Sequence, residues 1–226
     1  MPASEAKDKF KLQVVPVTPL QQNAMIFWST ESMKGVLIDP GGDVERLMST
    51  IKEIGVTISE IWLTHGHIDH AGGAAECRRQ LGCEIIGPQK DDQFLLDTLE
   101  QTGSEYGIPE AENFTSDKYL DDGDTLEFEG LEFNILHCPG HSPGSVVLYS
   151  KELSFAFVGD VLFQGSIGRT DLPRGNHQDL IDSITKKLWP LGKAIQFMAG
   201  HGPGSTFEQE RKSNGFVADS VTGYSG

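Results

Sequence analysis

The sequence predicts a layered α/β protein. Short apolar runs alternate with segments of helical period from end to end, and polar clusters rich in His, Asp and Gly stand where several of those runs stop. The lack of a Pro/Ser-rich linker, a low-complexity block or a short-period repeat makes residues 11–217 one domain, with flexible ends expected at 1–10 and 218–226.

In chain order, residues 12–17, 24–28 and 36–39 read as opening strands, and Asp39-Pro40-Gly41-Gly42 breaks the chain by its turn chemistry. Asp43 stands as an N-cap before Val44, Leu47, Met48, Ile51 and Ile54, whose spacing puts them on one helical face. A strand over 59–63 runs straight into Thr64-His65-Gly66-His67-Ile68-Asp69-His70, which leaves it as a loop, and residues 74–81 form a helix stopped by Gly82. An amphipathic stretch over 91–99 precedes a loop to about Ser116. Strands over 125–128, 131–136, 145–149 and 155–158 follow, two of them ending in His137-Cys138-Pro139-Gly140-His141 and Gly159-Asp160. Leu180, Ile181, Ile184 and Leu188 mark another helix, 194–198 a last strand before His201, and Ser205-Thr206-Phe207-Glu208 a capping box opening a final helix. Trp28, Trp62 and Trp189 fall in or beside these patterns and read as core. Each candidate ligand group therefore follows a strand, the end at which open α/β sheets bind ligands.

Composition narrows the function. Of 226 residues, 18 are Lys or Arg and 33 are Asp or Glu, a formal net charge of −15. That field repels polyanions and argues against nucleic-acid binding, while leaving small anionic substrates open. No window approaches the roughly 20 apolar residues needed to cross a bilayer, and the first nine residues lack the apolar stretch of a signal peptide. A cytoplasmic location without a membrane partner is expected. Cys77, Cys83 and Cys138 form an odd set without C-x-x-C spacing and read as inert thiols.

The chemistry concentrates in His65-x-His67-x-Asp69-His70, three imidazoles and a carboxylate within six positions. Imidazole nitrogen suits zinc, iron and related ions, and the carboxylate adds a harder, charge-neutralising ligand. A pair of divalent ions needs about three or four protein ligands each and a bridging group. His141, Asp160 and His201 supply what is missing, and a carboxylate such as Asp160 suits the bridge because it lowers the repulsion between two cations. His137 and His177 fall on no ligand position.

Thr-His-x-His-x-Asp-His, the later Pro-Gly-His, the Gly-Asp and the Gly-His-Gly together resemble the ordered motifs of the metallo-β-lactamase superfamily. Within it the chain is similar to short bacterial glyoxalase II-like proteins, from the first strands to Glu210-Arg211-Lys212-Ser213-Asn214-Gly215-Phe216. The resemblance implies an αββα sandwich and two divalent metal ions, zinc before iron or manganese. It assigns His65, His67 and His141 to one ion, Asp69, His70 and His201 to the other, and Asp160 to the bridge. It further implies hydrolysis of a thioester, S-lactoylglutathione or a related hydroxyacylglutathione, with Asp69 orienting the nucleophile and Arg169 gripping a glutathione carboxylate. A structural pairing of Arg169 with Asp171 is the competing reading. The chain departs from the long family members at Pro203, where they carry Tyr, at Gly215, where they carry Pro, and in lacking their C-terminal helical domain. The Gly168-Arg169-Thr170-Asp171 loop also resembles that of iron-dependent persulfide dioxygenases, which makes that activity the first alternative. A lactonase or β-lactamase activity is the second.

Overall fold

The computed structural model describes residues 8–225. These form two compact units, one ending at Leu120 and the other beginning at Asp121. Residues 1–7 of the expected flexible N-terminus lie outside the described residues.

The first unit is built on a five-stranded sheet in simple sequential order: β1 (Phe10–Val17), β2 (Gln22–Ser29), β3 (Lys34–Ile38), β4 (Thr57–Trp62) and β5 (Glu84–Ile86). β1, β2 and β3 pair antiparallel, whereas β3, β4 and β5 run parallel. Parallel neighbours need a crossover, supplied by α1 (Val44–Ile54) and then by α2 (Ile68–Ala71) with α3 (Ala74–Leu81). α1 buries Val44, Leu47 and Ile51, the face its spacing predicts. Each such side chain contributes about 1.5–3 kcal/mol when fully buried. Asp43 precedes α1 but does not cap it: its carboxylate instead accepts from the Thr18 N–H at 2.9 Å, tying the β1–β2 turn to the helix start.

Beyond β4, several elements of this unit differ from the sequence reading. β5 has three residues, too short for a period to register. The 91–99 stretch breaks into a 3₁₀ turn, Lys90–Asp92, and α4 (Gln93–Leu96), because the Asp92 carboxylate turns inward to accept from the Gly66 N–H at 2.8 Å. The expected loop beyond it contains α5 (Leu99–Tyr106). Gly103, which weakens the helical pattern, is there for close approach: a Cβ at that position would fall 2.5 Å from Ala111 Cβ.

The second unit holds a six-stranded sheet in the order β13-β12-β9-β8-β7-β6. β6 (Thr125–Phe128), β7 (Leu131–His137), β8 (Val146–Ser150) and β9 (Phe155–Gly159) form an antiparallel meander. A two-stranded ribbon of β10 (Leu162–Phe163) and β11 (Ser166–Ile167) follows, then α6 (His177–Ser183), which continues through a wider π-turn over Ile184–Leu188. β12 (Gln196–Ala199) pairs parallel with β9, and β13 (Ser205–Thr206) closes that edge before α7 (Phe207–Ser213). Thr206, one residue later than the capping box predicts, is the cap, its hydroxyl accepting from Gln209 N–H at 3.1 Å.

Trp62 and Trp189 are fully buried and Trp28 nearly so. Burial pushes the Cys77 and Cys138 thiols up to about 12 and that of Cys83 to about 11, so none is a thiolate near neutral pH. Within the segment expected as a flexible tail, α8 (Asp219–Thr222) is held by Arg211, whose guanidinium grips Asp219 at 2.9 and 3.0 Å and lies 4.5 Å from the centre of the Tyr224 ring. No helix among the described residues is long and apolar enough to cross a membrane.

Candidate metal centre

The two units carry the candidate ligands separately, four in the first and three in the second. In the first, β4 ends at Trp62 and the chain passes through Thr64, His65 and His67 before closing into the single turn of α2, which carries Asp69 and His70. The cluster is thus half loop and half helix rather than a loop throughout. The turn forms because Gly72 and Gly73 let α2 pack against the Asp39-Pro40-Gly41-Gly42 turn, and Gly41 lets that turn press on Asp69 in return. A Cβ at residue 41 would sit 1.4 Å from the Asp69 carbonyl oxygen. His65 and His70 are fully buried, with ring centroids 4.0 Å apart, and His67 meets His65 edge-on at 4.8 Å.

Hydrogen bonding selects one tautomer for two of these rings. The buried Asp39 carboxylate accepts from Thr64 N–H and Thr64 Oγ1–H, both at 2.7 Å, and from His70 Nδ1–H at 2.9 Å. Because the Thr64 hydroxyl spends its proton on Asp39, it accepts from His65 Nδ1–H at 3.1 Å. With Nδ1 protonated on both rings, Nε2 keeps its lone pair for a metal. Asp39 and Thr64 thus support two candidate ligands, whereas the sequence alone gives them turn and strand-end roles. The signal that could have marked them, a polar pair at two neighbouring strand ends, lies 25 residues apart in the chain.

The second unit solves the same problem differently. β9 and β12 are parallel neighbours that end level, Ala199 opposite Gly159, with Gly200 N–H donating to the Gly159 carbonyl at 2.9 Å. Asp160 and His201, just beyond the two ends, are therefore delivered side by side. His141 reaches them from the β7–β8 loop. Asp160 Oδ2 stands 3.5 Å from His141 Nε2 and 3.6 Å from His201 Nε2. His141 donates from Nδ1 to the carbonyl of Arg169 at 2.8 Å, which again leaves Nε2 for a metal. Gly168 makes room for this contact: a Cβ there would fall 1.9 Å from the Asp160 carbonyl oxygen and 3.1 Å from the His141 ring.

The remaining sequence candidates are placed elsewhere. The Arg169 side chain is exposed and grips Asp171 with two hydrogen bonds of 2.7 Å, and that grip lowers the Asp171 carboxyl to about 2. His137 bonds through Nε2 to the Pro143 carbonyl at 2.7 Å, a loop-closing contact. His177 begins α6.

Sheets with their helices, carrying candidate His and Asp metal ligands at strand ends, suit a metal-dependent hydrolase, and comparison with known proteins places the chain in such a class. The family model of the metallo-β-lactamase superfamily matches residues 17–201, a span that includes residues of both units and all seven candidate ligands. The chain belongs to the metallo-β-lactamase superfamily and has its fold. It is similar to the hydroxyacylglutathione hydrolase GloC of Haemophilus influenzae, at 42% identity over 91% of this chain and 97% of that one. Among solved structures, the BLEG-1 B3 metallo-β-lactamase matches with a TM-score of 0.84 and 34% identity, covering 94% of this chain and 100% of the other. TTHA1623, solved in a di-iron-bound form, matches with a TM-score of 0.80 and 35% identity over 91% and 100% of the two chains.

Proposed function

We propose that this hydrolase cleaves thioesters of glutathione, S-lactoylglutathione first among them, at a pair of divalent ions. His65, His67 and His141 would hold one ion, Asp69, His70 and His201 the other, and Asp160 would bridge them. The observation that carries the metal assignment is the Asp160 carboxylate, one oxygen of which addresses imidazoles assigned to different ions. Five imidazoles, three of them held with the proton on Nδ1 and Nε2 left to ligate, and two carboxylates fit zinc, and the same set accepts iron or manganese. A di-iron form of a protein 35% identical to this chain supports a pair of ions without choosing the element.

Bound there, the pair supplies an acidified water and an electrophile for the substrate carbonyl. The chain's own residues do the rest. Asp39 and Thr64 hold His65 and His70 in the ligating tautomer, and the Arg169 carbonyl does so for His141. Asp69 would be a ligand whose carboxylate can also accept a hydrogen bond from the attacking water and so orient it. A thiolate leaves without protonation, so the site needs no separate general acid. The glutathione preference is supported by the similarity to GloC and by Arg169, whose guanidinium can exchange Asp171 for a substrate carboxylate in the same two-pronged geometry.

Protein purified without chelator is expected to contain about two metal ions per chain at saturation, with thiol release from S-lactoylglutathione dependent on them. Elemental analysis and a thiol assay check both. A ceiling of one ion, oxygen uptake on glutathione persulfide and no thiol release would replace this reading with that of a persulfide dioxygenase. Faster turnover of a lactone or β-lactam would move it to the third activity.

A further inference from the structure

The Glu210 to Asn214 stretch at the end of α7 resembles its family motif in sequence, yet none of its side chains is among the candidate ligands. Glu210 and Asn214 are nonetheless buried, at 1% and 0% exposure. A buried carboxylate is costly unless donors surround it, and Glu210 has three. Its Oε2 accepts from Gly165 N–H at 2.7 Å and from Asn214 Nδ2 at 2.8 Å, and its Oε1 accepts from the Ser205 hydroxyl. Asn214 Nδ2 also donates to the Ser166 carbonyl at 3.0 Å.

The positions of these donors give the network its meaning. Gly165 and Ser166 lie in the β10–β11 ribbon, which leads from Asp160 to Gly168 and Arg169. That ribbon supplies the backbone on which Asp160 and His141 rest, through the close approach of Gly168 and the Arg169 carbonyl. Ser205 ends the loop that begins at His201 and anchors it to β12, pairing with Phe197. One carboxylate thus ties together the two loops that fix all three ligands of the second unit. Its own helix cannot drift, because the neighbouring Arg211 is fastened to Asp219 and to the Tyr224 ring.

We infer that Glu210 is a positioning residue for the metal centre, setting the spacing of His141, Asp160 and His201 through the β10–β11 ribbon and the His201–Ser205 loop. The inference rests on the reading of those three residues as metal ligands. Glu210→Ala removes the acceptor for all three donors. Glu210→Gln preserves the shape, keeps an acceptor oxygen for Gly165 and Asn214, and lets the Ser205 hydroxyl rotate to accept from the amide.

The probes are zinc affinity, by competition with a chromophoric chelator, and the visible spectrum of the cobalt(II)-substituted protein. Outer contacts of metal ligands are worth about 10- to 100-fold in affinity, so Glu210→Ala is expected to weaken zinc binding by about tenfold and shift the cobalt bands. Glu210→Gln should restore both to near the parent. A merely structural role would lower the melting temperature of the metal-free protein and leave both probes unchanged in the folded variant, which would overturn the inference. If Glu210→Ala does not fold, Glu210→Gln combined with Ser205→Ala is read the same way, since it strands the amide without its acceptor. Asp160→Ala separates the two levels. If it too leaves zinc affinity and the cobalt spectrum unchanged, the ligand reading has failed, whereas loss in Asp160→Ala with no change in Glu210→Ala fails this inference alone.

Discussion

The two units hold their ligands by opposite means. The first packs four candidate ligands into six consecutive residues and orients two of them, His65 and His70, with side chains, Asp39 and Thr64, that are themselves buried. The second spreads three candidate ligands over three loops and orients them at first hand with backbone: the level ends of β9 and β12, the Arg169 carbonyl, and the close approach of Gly168, with the Glu210 carboxylate fastening that backbone from behind. The contrast follows from where the residues come from. A short segment leaving one strand has its geometry set locally and needs only tautomer and ring angle to be fixed. Three loops from different strands must first be brought into register, which ladder hydrogen bonds and glycine contacts accomplish. A side-chain support can be weakened in steps by substitution, whereas a backbone support yields only when the chain is displaced.

The largest effect should come from the residue on which the second unit converges. Asp160→Ala removes the carboxylate between His141 and His201 and leaves two cations without a bridge. Metal content and thioester hydrolysis should fall together, hydrolysis by about 10²- to 10³-fold given the several kcal/mol that a metal pair contributes to the transition state. His177→Ala, at the start of α6, should keep both ions. Elemental analysis of the two variants side by side decides the ligand assignment, and the reverse pattern would refute it.

The next pair sharpens the contrast between the units. Asp39→Ala strips the acceptor from the Thr64 N–H and hydroxyl and from His70, so metal affinity should fall about 10- to 100-fold, with Asp39→Asn intermediate because an amide oxygen can still accept one of the bonds. Gly168→Ala removes no hydrogen bond and instead forces the loop off the Asp160 carbonyl. Overpacking of this kind costs about 1–3 kcal/mol. In a chain of this size that lowers the melting temperature by about 2–4 °C per kcal/mol. Gly215→Ala, where a Cβ meets nothing within 4 Å, is the neutral control. If Gly168→Ala behaves like Gly215→Ala, the second unit does not depend on backbone contact in the way argued.

The same contrast explains what could be read in the sequence. The layered α/β class, most strands and the strand-end positions of the seven candidate ligands were legible because each is a local pattern: alternation, strand-end polarity, or six-residue spacing. Their supports were not. Asp39 acts on Thr64 and His70 from 25 and 31 residues away, and Glu210 acts on Gly165 from 45. Gly103 reads as a helix breaker in isolation, yet α5 forms around it because the close approach of Ala111 needs the missing side chain. Asp43 has the chemistry of an N-cap, but Thr18 claims its carboxylate from the adjacent turn. For Gly103 and Asp43 a tertiary contact outweighed the local preference.

The smallest effect concerns Arg169, whose carbonyl and side chain do different things. The carbonyl accepts from His141 in any residue placed there, so Arg169→Ala should leave metal content unchanged. The side chain is spent on Asp171, whose carboxyl is held at about 2 first by the hydrogen bonds from Arg169, so the pair stays charged at neutral pH. A substrate carboxylate must displace Asp171 to be gripped, and the exchange recovers only part of a charged hydrogen bond. The expected rise in KM for S-lactoylglutathione is therefore modest, about tenfold, with little change in kcat because the contact is the same in ground and transition states. Asp171→Asn supplies the opposing arm. It weakens the competitor without touching Arg169 and should lower KM for the glutathione thioester. Neither substitution should alter hydrolysis of a thioester that lacks glutathione. If both variants leave KM for S-lactoylglutathione at the parent value while metal content is intact, Arg169 serves only to close its loop on Asp171, and the glutathione carboxylate must be read by another residue.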